Sequence, residues 1–322
     1  MTNSDKGNFT FLEFTEDIIS NFYSPRKGEN RVGDSLKKSN KKGRFVILGI
    51  EESIGPKANN GLSGSENAFE SFLKVFLNSQ IHDQFEGSNF HILGTIKQES
   101  SFSSIENASQ QVLELDDFVF RILNDHVSQN QIPIVIGGGH NNAYPLIKWS
   151  ASHGMINVLN LDPHADCRET SHRHSGNSFS LALEQKILNR YAVLGLHEAF
   201  NNHFIRSFLI KHNVFHTFFE DYLMQERDLL KDLKVLVSEW NDVHKIGLEI
   251  DMDSIAGMPS SAFSPSGWTL DQVRAYLIKA AKSFSTISYL HLPEAAPKNE
   301  LENKITGKAL TYIVRDFIRN AK

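Results

Sequence analysis

From Arg44 onward, short apolar runs alternate with amphipathic stretches, and this rhythm restricts the fold more than any other feature of the chain. Strands are expected at Arg44–Ile50, Asn89–Ile96, Ile132–Gly137, Ile156–Leu161, Tyr191–Leu196, Val214–Phe219, Val243–Ile250 and Ile287–Leu292. Helical periodicity fills the intervals at Gly64–Gln80, Ser104–Val127, Asn142–Ser152, Phe179–Asn189, Asn202–Lys211, Tyr222–Trp240, Thr269–Ser283 and Lys304–Asn320. Such alternation predicts an α/β fold with a mostly parallel sheet covered by helices on both faces. By itself it leaves open whether the sheet closes into a barrel. No composition break divides residues 44–322, so one domain is expected there.

Ahead of it, Phe11, Phe14, Ile18, Ile19 and Phe22 recur at three- and four-residue steps, so Phe9–Tyr23 reads as a helix. Residues 24–43 read as an exposed basic linker packed on or near the domain. Its Lys37, Lys38, Lys41 and Lys42 lack interleaved aromatic residues and fit a solvated loop better than a nucleic-acid patch. A net charge of −5 over 322 residues likewise gives no footprint for nucleic acid. No apolar run reaches the roughly 18 residues of a membrane span. The single cysteine, Cys167, rules out an internal disulfide and fits a reducing compartment, so a cytoplasmic location is expected.

In sheets of this kind, function gathers at the carboxyl ends of the strands. Those ends carry Glu51-Glu52, Gly137-Gly-Gly-His140, Asp162-Pro-His-Ala-Asp166, Asp251-Met-Asp253 and Glu294. In extended chain, Asp162, His164 and Asp166 would point to one side and converge. With His140, Asp251 and Asp253 they form an inventory too large for one tetrahedral zinc site. It suits two divalent ions sharing carboxylates, and such ions acidify a shared water to give hydroxide at neutral pH. Oxygen-rich ligands with some imidazole favour two Mn²⁺ ions over zinc. Other readings stay open: Asp251 and Asp253 as turn caps, His140 as a packed loop residue, the glycine run as a phosphate cradle. Cys167, beside a carboxylate, reads as a packing residue.

These motifs, in this order, resemble those of the ureohydrolases (arginase, agmatinase and formimidoylglutamase). The resemblance covers about Arg44 to the C-terminus. It implies a three-layer α/β/α sandwich with an eight-stranded, mostly parallel sheet and a binuclear manganese centre. One ion would be held by His140, Asp162, Asp166 and Asp251, and the other by His164, Asp162, Asp251 and Asp253. Glu294, before Pro297, is similar to the acidic residue that holds the substrate's cationic end. Two departures stand out: Gly139 where the family has aspartate, and Pro163 where it has a small residue. The family's Ser-Gly-Asn segment looks like Ser175-Gly-Asn177, which makes Asn177 a substrate-contact candidate. His174, ahead of it, is a candidate proton shuttle.

Arg168 lies where formimidoylglutamase-like members place arginine, and its planar fork suits a substrate carboxylate. Arg173 and His172 add positive charge to the same stretch. The expected activity is hydrolysis of a C–N bond in a linear amidine, with N-formimino-L-glutamate favoured over arginine or another guanidino acid, and over agmatine. A metal-binding regulatory protein without activity is the alternative from another class. The expected partner is a small amidine or guanidine, and the trimers and hexamers of the family leave homo-oligomer formation open.

Overall fold

The computed structural model describes residues 7–38, 43–83, 85, 87–240 and 244–322. Nine strands form one sheet: β1 (Phe9–Glu13), β2 (Phe45–Glu51), β3 (Phe90–Gln98), β4 (Ile132–Ile136), β5 (Ile156–Leu161), β6 (Leu188–Leu196), β7 (Phe215–Phe218), β8 (Lys245–Ile250) and β9 (Ile287–Leu292). Their spatial order is β1-β3-β2-β4-β9-β8-β5-β6-β7. All pairings are parallel except β1 with β3. The sheet is therefore open, not a barrel, with helices on both faces.

The pleat sorts side chains between two cores. Along β2, Phe45 and Ile47 enter one core, while Val46, Leu48 and Ile50 enter the other. The first core lies under helices Ala68–Phe76, Leu229–Trp240, Leu270–Ser283 and Glu300–Asn320. The second lies under Ile105–His126, Ala143–Ala151, Ser178–Glu184 and His203–Lys211. Because both faces are covered, β4, β5 and β9 are buried along their whole length, which is why β4 reads as an unbroken apolar run and β5 and β9 as mainly apolar ones. Helix starts follow local chemistry. Ser104 Oγ accepts from Asn107 N, and Thr269 and Gln272 form a reciprocal capping box.

The amino-terminal reading needs correction. Phe9–Glu13 is a strand, not the start of a helix, and the helix begins at Glu16 behind the Thr15 cap. Phe9 and Phe11 alternate on one face of that strand and pack on the following layer, with ring centroids 6.1 Å from Phe118 and 5.2 Å from His126. Antiparallel pairing with β3 covers what would otherwise be a bare sheet edge. The stretch read as an exposed linker holds a second helix, Val32–Lys38, whose Val32 is fully buried. Lys41 and Lys42, and Val243 at the expected start of a strand, lie outside the described residues.

Elsewhere the differences are at boundaries. The Tyr222–Trp240 periodicity resolves into two helices, Phe219–Leu223 and Leu229–Trp240, parted by Gln225 at φ 61°. The helix after Ser178 ends at Glu184 because Lys186 turns left-handed (φ 58°), and β6 starts at Leu188. Among the described residues, no helix is long and apolar enough to cross a membrane. Phe9→Ala should cost about 3 kcal/mol, the usual loss for a buried aromatic side chain. Urea unfolding would measure it, and light scattering should show self-association once the β3 edge is loosened.

Candidate metal centre and its cavity

After β4, Gly137 (φ 87°) and Gly138 (φ 68°) take a left-handed backbone that side-chain-bearing residues avoid. They turn the chain so that His140 opens a short 3₁₀ turn, His140–Asn142, with its ring fully buried. Its Nδ1 lies 2.9 Å from Asp251 Oδ2, 3.0 Å from Asp166 Oδ2 and 3.2 Å from Asp162 Oδ2. Donor atoms of these four residues all fall within 4.8 Å of one another. His164 Nδ1 faces a second pair, 3.6 Å from Asp162 Oδ1 and 3.8 Å from Asp253 Oδ2. Asp162 thus turns one oxygen to each histidine.

The ligand stretch after β5 does not converge by strand alternation, as its spacing suggested. The chain leaves β5 at Leu161, and Asp166 sits at φ 47°, so a tight turn brings the side chains together. Asn201 holds that turn: its Oδ1 accepts from Ala165 N, and its Nδ2 donates to Pro163 O. His197 N donates to the same carbonyl at 2.9 Å. The turn uses the carbonyl of Pro163, so the missing N–H leaves nothing unpaired. Asp251 caps the turn Met252–Ser254 through Oδ1, which accepts from Asp253 N at 2.7 Å. Its Oδ2 faces His140, so capping and clustering are compatible roles for one carboxylate.

Burial, followed by the charges of Asp162 and Asp253, pushes the Asp251 carboxyl well above the ordinary range. Burial likewise raises Asp253 against the pull of His164. Glu294 is raised to about 8, by burial first and the Asp253 charge second. It occupies a left-handed backbone (φ 68°), and conformations of this kind cost on the order of 1–3 kcal/mol and concentrate at functional sites. Glu294 Oε1 accepts from His140 N at 2.6 Å, and Oε2 accepts from Ser261 Oγ. The cluster is short of positive charge. Buried carboxylates crowded around two imidazoles, with oxygens at hydrogen-bond range of one ring nitrogen, suit divalent cations.

Behind the cluster lie residues the sequence reading did not single out for the site. Glu249 and His291 are cross-strand neighbours on β8 and β9, both fully buried. His291 Nδ1 lies 2.6 Å from Glu249 Oε2, and His140 Nε2 lies 3.4 Å from the same oxygen. Burial pushes Glu249 up, but His291 and His140 pull it down to about 2.

A cavity of about 310 Å³ opens over the cluster, lined among others by His164, Asp166, Asp253, Glu294, Arg168 and Asn59. Arg168 is thus one of the residues of the cavity wall. His174 and Asn177 do not line the cavity. Asn177 is fully buried, with Oδ1 accepting from Arg173 and His174 N, and Nδ2 donating to the carbonyls of Glu169 and His172. Its side chain holds the loop and has no group left to offer a substrate. His174 Nδ1 accepts from Gly176 N, and burial lowers its imidazole to about 4. Arg173 adds no field to the cavity either. It is buried against Asp116 at 2.8 Å and donates to Asn177, Ser178 and the carbonyls of Asn141 and His174. Cys167 is buried with its thiol pushed up by burial, which suits packing.

The sequence profile of the arginase family matches residues 45–319. A formimidoylglutamase of Macrococcus caseolyticus is 26% identical over 272 residues, covering 83% of this chain and 82% of that protein. The crystal structure of formimidoylglutamase from Bacillus subtilis superposes with a TM-score of 0.75 at 17% identity, covering 92% of this chain and 94% of that one. The Trypanosoma cruzi formiminoglutamase solved with Mn²⁺ gives a TM-score of 0.70 at 17% identity, covering 90% and 99%.

The buried Arg173–Asp116 pair makes a direct check on how the loop before Asn177 is held. Arg173→Ala strands Asp116 and should cost about 3–5 kcal/mol in denaturant unfolding. The double replacement Arg173→Met with Asp116→Leu should recover only part of that loss, because Asn177 Oδ1 and the carbonyls of Asn141 and His174 still lose their Arg173 donors.

Proposed function

This chain belongs to the arginase family, and we propose that it is a two-metal hydrolase cleaving a C–N bond of a linear amidine, with N-formimino-L-glutamate as substrate. The observation that carries this reading is the facing of His140 Nδ1 onto three carboxylate oxygens beside the His164–Asp162–Asp253 group. His140, Asp162, Asp166 and Asp251 would hold one Mn²⁺, and His164, Asp162, Asp251 and Asp253 the other. Ions so placed supply Lewis acidity and a water activated at neutral pH.

The chain's own residues supply recognition. Glu294 already accepts one hydrogen bond on each oxygen, yet each oxygen keeps a lone pair. It can therefore accept from a planar, cationic formimino group, whose charge favours the carboxylate form. Arg168 lines the same cavity, and no ion pair among the described residues takes its guanidinium. Its guanidinium suits a carboxylate, which formiminoglutamate carries twice and agmatine lacks. Because Glu294 is pinned through its backbone as well, with its N–H on Gly138 O and its carbonyl on Ser261 N, it is held ready before substrate arrives. His174, at a pKa of about 4, is neutral at physiological pH and outside the cavity wall, so the shuttle is left out of this reading. Hydrolysis would release L-glutamate and formamide.

Two measurements test the proposal. Metal-stripped protein should gain thermal stability on adding Mn²⁺, by about 2.7 kcal/mol at a hundredfold excess over Kd. The amine product should then appear from formiminoglutamate and far less from arginine, agmatine or other guanidino acids. No amine from any of them, with Mn²⁺ bound, would favour the regulatory alternative. Arg168→Ala should raise KM for formiminoglutamate about tenfold to hundredfold, the worth of a charge-assisted hydrogen bond, and leave stability nearly unchanged.

A further inference from the structure

The segment Glu51-Glu52 ends β2 one strand away from the His140 loop, and the activity described above makes no use of it. Glu52 is 1% exposed and has no cation against it among the described hydrogen bonds and ion pairs. Its carboxylate instead gathers N–H groups from two loops. Oε2 accepts from Ile54 N at 2.5 Å and Gly55 N at 3.2 Å. Oε1 accepts from Gly139 N at 2.8 Å, Asn142 Nδ2 at 2.8 Å and Asn141 Nδ2 at 3.2 Å. The first loop continues through Pro56, Asn59, Asn60, Gly61 and Leu62, which form one wall of the cavity. The second carries His140.

Position 139 itself cannot carry a side chain. A Cβ on Gly139 would stand 2.3 Å from Pro56 Cδ and 2.5 Å from Asn141 Oδ1. These distances are far inside van der Waals contact, so no side chain fits beside His140 at that point. The space an aspartate would fill is taken by the cavity wall itself.

We infer that Glu52 is a positioning residue for the metal centre: reaching over from β2, it locks the His140 loop to the substrate wall and so fixes where His140 presents its ring. This rests on the two-metal reading above. The pairing is sensitive to chemistry as well as shape. A glutamine at this position keeps one acceptor oxygen and turns an NH₂ group toward N–H donors, so at least one buried donor loses its partner. Residues that orient metal ligands typically change metal affinity by about 10–100-fold when altered.

The test is titration of Mn²⁺ into metal-stripped full-length protein by calorimetry, with circular dichroism and melting of the metal-free form in parallel. Glu52→Gln should keep the fold and bind Mn²⁺ about tenfold or more weakly. Asn142→Ala, which removes one donor and leaves the carboxylate, should weaken binding in the same direction by less. A Glu52→Gln protein that melts earlier but binds Mn²⁺ as tightly as the parent would make Glu52 a plain structural residue and overturn the inference. Should Glu52→Gln fail to fold, undiminished Mn²⁺ affinity in Asn142→Ala overturns it equally. A parent protein that takes up no Mn²⁺ defeats the metal-centre reading itself, and this inference with it, a result distinct from both.

Discussion

Four aspartates and Glu294 crowd together with only two imidazoles among them, and most of the architecture can be read as the means of tolerating that charge. Ionised groups removed from water are costly unless paired and hydrogen-bonded. Here the raised carboxyl pKa values of Asp251 and Asp253 register the shortfall. The chain answers with backbone N–H groups: Asp253 N on Asp251, His164 N on Asp162, Ala262 N on Asp253, and His140 N on Glu294. Each requires a turn at a strand end, and several of those turns take left-handed residues, Gly137, Gly138, Asp166 and Glu294 among them. A divalent ion would complete the balance.

Topology decides which turns meet. After β4 the chain crosses over to form β5, β6 and β7, and the two strands that come last, β8 and β9, fill the gap left between β4 and β5. Residues after the earlier strands, His140 and Asp162, are therefore flanked by Asp251, Asp253 and Glu294 from the later ones. The crevice forms where the strand order reverses, as in other open parallel sheets. The cluster is complete only when the carboxyl-terminal part of the chain has entered the sheet, so its assembly and the burial of β9 belong to the same state.

The central strands were legible because covering both faces makes them continuously apolar, and the metal-ligand candidates because they stand at strand ends where polarity interrupts such runs. What was not legible had mixed signals. At Phe9–Glu13 the period-two pattern of Phe9 and Phe11 overlapped a three-and-four pattern continuing to Phe22, and only the β3 edge decides between them. Asn177 sits in a motif suggestive of substrate contact, yet the buried Arg173 takes its carbonyl oxygen, a choice that depends on Asp116 some sixty positions earlier in the chain. Glu52 was visible as an acidic residue at a strand end, but its donors come from Gly139, Asn141 and Asn142, a loop far away in sequence.

Glu249 and His291 did leave a signal, a lone ionisable residue inside each of two otherwise apolar strands, and their register makes them neighbours. Their burial is hard to explain by stability, since an ion pair in the interior rarely outdoes an apolar pair of the same size. It makes sense in relation to His140. Glu249 Oε2 lies 2.6 Å from His291 Nδ1 and 3.4 Å from His140 Nε2, so the pair sits against the far side of the His140 ring. Nδ1 faces Asp162, Asp166 and Asp251; burial disfavours the charged ring, but these carboxylates and Glu249 together raise His140 well above the ordinary imidazole range. His140 is thus constrained three ways: its loop by Glu52, its backbone N–H by Glu294, and its ring by Asp162, Asp166 and Asp251 at Nδ1. A divalent cation at this point would replace the proton on Nδ1 and draw on the same carboxylate oxygens, with the ring already held towards them.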